Sequence, residues 1–180
     1  PVAGLAMLPY LAALAFYSLI ALVTYDPSDS AWSHSSGSGA VANAGGVVGA
    51  WFADVLLYLF GFLAALFPVA LIVAAWWLWS NRTLLIKPEP VEMALRGTGF
   101  LLTLIAGSGI FGLRFGAWGE FFSLPMSAGG VLGQELARAL VAGLSPTGAM
   151  LLLLAFFLSG ITLLTRFSWL KLIEDRKSVV

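Results

Sequence analysis

Few residues in this chain could take part in chemistry, and their spacing decides against most of it. His34 is the only histidine, and it sits in residues 30–39, a stretch rich in serine and glycine. A lone histidine in such a loop has neither a partner base nor a second metal ligand. Asp54 is the only charged residue between Val47 and Trp79, and no second titratable group stands at a useful spacing from it. Nucleophilic or general acid–base catalysis needs an activated group with a neighbouring base, or paired carboxylates. With no cysteine there is no disulfide framework and no thiolate site. Gly107-Ser108-Gly109-Ile110-Phe111-Gly112 spells GxGxxG, but it follows no strand and lies in an apolar run, so it reads as helix-packing glycine. Asn81-Arg82-Thr83 spells a glycosylation sequon, expected on the cytoplasmic side, where it has no meaning. We therefore expect no catalytic, cofactor-binding or metal-binding residue and no cofactor in this fragment.

The residues that do recur are structural. Asn43-Ala44-Gly45-Gly46-Val47-Val48-Gly49 returns as Ser127-Ala128-Gly129-Gly130-Val131-Leu132-Gly133, 84 positions later. The same offset superposes Ala53 on Ala137 and Leu56 on Leu140, which makes the pattern an internal repeat. In each copy a glycine turn feeds a helix-compatible run, with Asn43 or Ser127 placed where a cap could sit. Gly45 with Gly49, and Gly129 with Gly133, are also small-xxx-small pairs that permit close helix approach. The offset further pairs Asp54 with Arg138, whose opposite charges could bridge the two runs.

Positioning these turns requires a membrane. Mean hydropathy is +0.96, with 60% hydrophobic and 10% charged residues, far from the balance of a soluble domain, where about a quarter of residues are charged. Apolar runs give spans at about 4–25, 58–79, 91–113 and 148–165, each long enough for a core that needs roughly 20 residues. The run from Val47 to Trp79 would be about 50 Å long as one helix, too long for one straight span. We divide it into a short surface helix over residues 47–57 and a span kinked at Pro68; residues 134–144 repeat the surface helix. Trp32 reads as an interface anchor, and Trp76, Trp77 and Trp79 as an aromatic belt.

Charge sets the orientation. The loop over 80–90, the adjoining helix end and the tail over 166–180 hold Arg82, Lys87, Arg96, Arg166, Lys171, Arg176 and Lys177, whereas the outer segments, about 26–57 and 114–147, hold only Arg114 and Arg138. Both termini are expected in the cytoplasm. The predicted fold is an all-α integral membrane domain: four transmembrane helices as two tandem span–outer helix–span repeats, with two short periplasmic surface helices. A chain beginning at Pro1 without methionine is expected to be an excised fragment with a charged lead upstream. A small secondary transporter or another polytopic membrane protein built from a two-span repeat is the alternative, but a transporter usually needs ionisable or carbonyl-rich groups at mid-membrane, and the span centres hold no Asp, Glu, Lys, Arg or His.

Asp26-Pro27-Ser28-Asp29 with Trp32-Ser33, Asn43-Ala44-Gly45-Gly46, Gly49-Ala50-Trp51-Phe52-Ala53-Asp54, Phe60-Gly61 with Pro68, Gly129-Gly130-Val131-Leu132-Gly133 and Ser168-Trp169 together resemble the N-terminal four-span membrane domain of the bacterial cell-division DNA translocases of the FtsK/SpoIIIE family. The likeness covers nearly the whole chain; Asp29-Ser30-Ala31-Trp32 departs from the family's more compact Asp-Pro-Ser-Trp. The resemblance implies a membrane anchor at the division septum of the inner membrane, a homo-oligomer (a hexamer in the family) and divisome membrane proteins as partners. No Gly-x-x-x-x-Gly-Lys-Ser/Thr phosphate loop occurs here, so DNA would be engaged only through a motor domain this fragment lacks.

Overall fold

The computed structural model describes residues 2–33, 41–80 and 90–165. His34, the Asn81 sequon, Arg82, Lys87, the tail cations Arg166, Lys171, Arg176 and Lys177, and Ser168-Trp169 lie outside the described residues. Apolar runs become helices because a backbone in hydrocarbon must satisfy its own hydrogen bonds. The order is α1 (Val2–Val23), α2 (Gly46–Phe60), a 3-10 segment (Gly61–Ala65), α3 (Leu66–Ser80), α4 (Pro90–Arg114), α5 (Trp118–Phe121), α6 (Gly130–Gly143) and α7 (Pro146–Thr165). No strand occurs among the described residues.

Length separates the spans from the rest. At 1.5 Å per residue, α1, α4 and α7 are about 33, 37 and 30 Å long, enough for a hydrocarbon core of about 30 Å. The 3-10 segment and α3 together reach about 32 Å. By contrast α2 and α6, at about 22 and 21 Å, are too short to cross. Four stretches are thus long and apolar enough to span a membrane, one of them the broken run Gly46–Ser80.

The division of that run differs from expectation in two ways. The break falls at Gly61, not after Leu57, because Gly61 takes φ +57° and ψ −133°, a conformation that ends the α-ladder. The irregular stretch inside the span is the 3-10 segment Gly61–Ala65, which lies ahead of the buried Pro68, the third residue of α3.

α1 packs on α2 and α3, and α4 packs on α6 and α7; α2 also meets α6. The first group closes over Leu56, Leu57 and Ala64, flanked by Leu22, Phe52 and Phe67. The second closes over Ala106, Ile110 and Leu153, flanked by Leu136 and Phe157.

Candidate functional site

Two constructions hold four of the six buried polar residues among those described, Asp29, Asn43, Asp54 and Ser108. The first is a strap between α1 and α2. Asp26 opens it with an Asx turn, accepting the Ser28 N–H at 2.8 Å and the Ser28 hydroxyl at 2.6 Å. These two bonds, the hydroxyl first, hold the Asp26 carboxyl below the usual carboxylate range. The buried Asp29 carboxylate then accepts the Ala42 and Asn43 N–H groups at 2.7 and 2.9 Å, pinching the loop shut at its neck.

Asn43 does not cap α2 as expected, nor does Ser127 cap α6, where the N-cap is Gly129 and the Ser127 hydroxyl donates to the Gly130 carbonyl at 3.0 Å. The N-cap of α2 is Gly45, with no side-chain cap. Asn43 instead donates its amide to the Ala21 and Thr24 carbonyls at 2.8 and 3.2 Å and accepts the Gly45 N–H at 2.9 Å. It therefore satisfies carbonyls left over at the end of α1 while shaping the start of α2. Tyr17 adds a bond from its hydroxyl to the Gly45 carbonyl at 3.0 Å.

Asp54, on α2, is fully buried. Its carboxylate accepts the Ser33 N–H at 2.6 Å, the Ser33 hydroxyl at 2.9 Å and the Tyr25 hydroxyl at 3.3 Å. A buried carboxylate is tolerable only when donors replace its lost water, and here three do. Burial first, and the Asp54 charge second, raise the Tyr25 phenol far above its ordinary value. Trp32 packs edge-on against Tyr58 with centroids 5.0 Å apart, so it fastens the strap to α2 in addition to any role at the interface.

These contacts correct the expectation that Asp54 and Arg138 bridge the two runs. Asp54 and Arg138 form no ion pair, because Asp54 is engaged with Ser33 and Tyr25 while Arg138 bonds Glu135 at 2.7 Å, three residues before it on α6. Nor is Asp54 open to reagents in water; Arg138 is, with its side chain 65% exposed.

The second construction is a seam built around the other glycine turn. Gly46 and Gly130 share φ +67°, and each donates its N–H at 2.8 Å to the carbonyl three residues earlier, Asn43 or Ser127. The local turn is thus the same in both copies, but its surroundings are not. A Cβ on Gly46 would meet nothing, whereas one on Gly130 would strike the Leu59 carbonyl. On Gly49 it would meet the Asn43 side chain at 2.6 Å; on Gly133 it would run into the Ser108 backbone of α4. A Cβ on Gly112 would lie 2.6 Å from the Gly133 carbonyl group. Gly129 and Gly130 therefore shape the turn, while Gly129 and Gly133 let α6 rest backbone to backbone on α4.

The same turn completes the broken helix. The Phe62 N–H, released by the break at Gly61, donates to the Ala128 carbonyl at 2.9 Å, and the Ser108 hydroxyl reaches the Phe60 carbonyl at 3.4 Å. Irregular backbone at membrane depth survives where protein groups satisfy it in this way. Gly61, Ala128, Ser108 and Gly112 form the junction of the two halves. Of the four, Gly112 falls in the GxGxxG read from the sequence as helix-packing glycine, and it packs on Gly133; for the break itself the signal available was the pair Phe60-Gly61 interrupting an apolar run too long for one span.

Chemically the site offers little beyond architecture. The six buried polar residues among those described, Ser18, Asp29, Asn43, Asp54, Thr103 and Ser108, all have their hydrogen bonds within the chain. No group of three or more His, Cys, Asp or Glu suited to a metal ion occurs among the described residues.

Such a molecule is a polytopic helical membrane domain whose buried polar residues, among those described, bond within the chain. The chain belongs to the family described as the 4TM region of DNA translocase FtsK/SpoIIIE, which residues 5–177 match. It is 40% identical over 161 residues to the DNA translocase FtsK of Shewanella oneidensis, covering 89% of this chain and 17% of that protein. It is 37% identical over 164 residues to that of Pseudomonas aeruginosa, covering 91% of this chain and 20% of the relative, and 38% identical over 158 residues to that of Vibrio vulnificus, covering 86% and 15%. The chain thus spans a fifth or less of the length of these relatives and corresponds to their membrane region, not to a motor. No solved structure matches it.

Proposed function

We propose that this chain is the membrane anchor and assembly domain of a septal DNA translocase. It holds the protein in the bacterial inner membrane at the division site with both termini in the cytoplasm, supports a homo-oligomer, hexameric on the family resemblance, and contacts membrane proteins of the divisome. DNA is engaged by a motor domain elsewhere in the protein. The observation that carries this reading is the commitment of the six buried polar residues among those described to bonds within the chain, which matches the membrane region of its relatives. A transporter would keep some polar group at mid-membrane for its substrate.

A fluorescent fusion of the chain should concentrate at midcell in dividing cells and co-purify with divisome membrane proteins after mild crosslinking. Uniform distribution around the membrane would refute the septal role. Native mass measurement in nanodiscs should return a hexamer; a monomer at high concentration would assign assembly to the motor.

A further inference from the structure

The segment after α4 carries an aromatic face that the interior does not use. Phe121 is 82% exposed, and Trp118 and Phe122 are each 52% exposed. They sit at i, i+3 and i+4 of the one-turn α5 and its C-cap, so they share one face, while Glu120, the only charge between Arg114 and Glu135, stands at i+2 on the other. The rings are not isolated. Phe111 stacks on Phe115 at 5.3 Å, Phe115 on Trp118 at 5.1 Å, and Phe122 on Phe62 at 5.2 Å. Phe62 and Phe111 belong to spanning elements, so the ladder runs without interruption from the span surface out to Phe121. Beside it lies an apolar groove of about 310 Å³, walled by Leu19, Val23, Phe62, Pro68, Phe122 and Leu124. Val23, on the groove's α1 wall, is itself 75% exposed.

We infer that residues 118–124 are embedded in the membrane, with Trp118, Phe121 and Phe122 at the boundary of headgroups and acyl chains and the groove beside Phe122 holding the acyl chain of a phospholipid in that leaflet. Three observations favour lipid over a polypeptide. The patch is continuous with surface that the spans already present to lipid. Tyr25, among the residues lining the groove, already donates its hydroxyl to Asp54, so the groove has little to offer a peptide backbone. And an apolar face with its charge turned to the other side is the pattern of interfacial segments, where aromatic rings prefer the headgroup level.

The chain has no cysteine, so Phe121→Cys and Trp118→Cys each create a unique attachment point for a nitroxide. In vesicles of phosphatidylethanolamine and phosphatidylglycerol, collision rates with oxygen and with a water-soluble nickel chelate report depth. Val73→Cys on α3, 59% exposed, serves as the lipid reference, and Arg138→Cys as the aqueous one. Both labels should show an oxygen-to-nickel ratio several-fold above that at position 138 and closer to that at position 73. A ratio equal to the aqueous reference overturns the inference. So does protection from both reagents, which a protein partner or a second copy seated on the patch would produce.

Discussion

Gly46 and Gly130 have the same backbone angle but different obligations. Placing Ala at Gly46 asks an L-residue to adopt a left-handed conformation in open space, which costs about 1–2 kcal/mol. Ala at Gly130 meets that cost and also drives a methyl into the Leu59 carbonyl, where backbone rather than a flexible side chain must yield. Thermal unfolding in detergent should show a shift of a few degrees for Gly46→Ala and loss of the cooperative transition for Gly130→Ala; equal effects would mean that the seam does not bear on the fold. Tyr25 offers a pH handle at the same scale. Its phenol is raised in the folded state, so the stability it contributes is complete below the unfolded value near 10 and is lost as pH rises beyond that value. Because Tyr25 is only half-buried and its bond to Asp54 is long at 3.3 Å, that bond should contribute about 1 kcal/mol, less than the roughly 1.5–3 kcal/mol of a well-formed bond to a charged acceptor. The stability difference between the parent chain and Tyr25→Phe should therefore be constant from pH 7 to 9 and shrink above pH 10. A difference that stays constant to pH 12 would remove the link.

At the level of elements, α2 and α6 begin with the same turn and then diverge. α2 turns Asp54 inward against the strap, while α6 turns Arg138 outward beside Glu135. Labelling with a membrane-impermeant maleimide should therefore modify Arg138→Cys rapidly and Asp54→Cys at least tenfold more slowly, since the pre-existing exposure of position 54 is 0%. Equal rates would show that the strap opens readily. The strap is anchored at Asp29, Asn43 and Asp54, three polar side chains within an otherwise apolar surrounding. Breaking any one leaves buried partners unsatisfied, so these positions bear on the order of α1, α2 and the loop together.

Across the whole molecule, the apolar runs and their lengths determined the class, the four spans and the need to break the stretch after Val47, because hydrocarbon thickness and helix rise are constants that a sequence can be measured against. The 84-residue offset likewise determined the two matching turns, since a left-handed angle asks for glycine wherever it occurs. Only the tertiary structure decided where the break falls, which glycines touch another backbone and which charges meet. Gly61 among many glycines is singled out by the Ala128 carbonyl that receives the Phe62 N–H, and no local pattern encodes that distant partner. Asp54 and Arg138 are equivalent in the repeat, yet Ser33 and Tyr25 lie nearer to one, and Glu135 to the other. Pairing of charges follows proximity in space, which a repeat in sequence constrains only locally. The aromatic face at residues 118–122 belongs to the same kind of fact: its composition is visible in the sequence, but its exposure and its continuity with the spans exist only once α4, the 3-10 segment and α5 have packed.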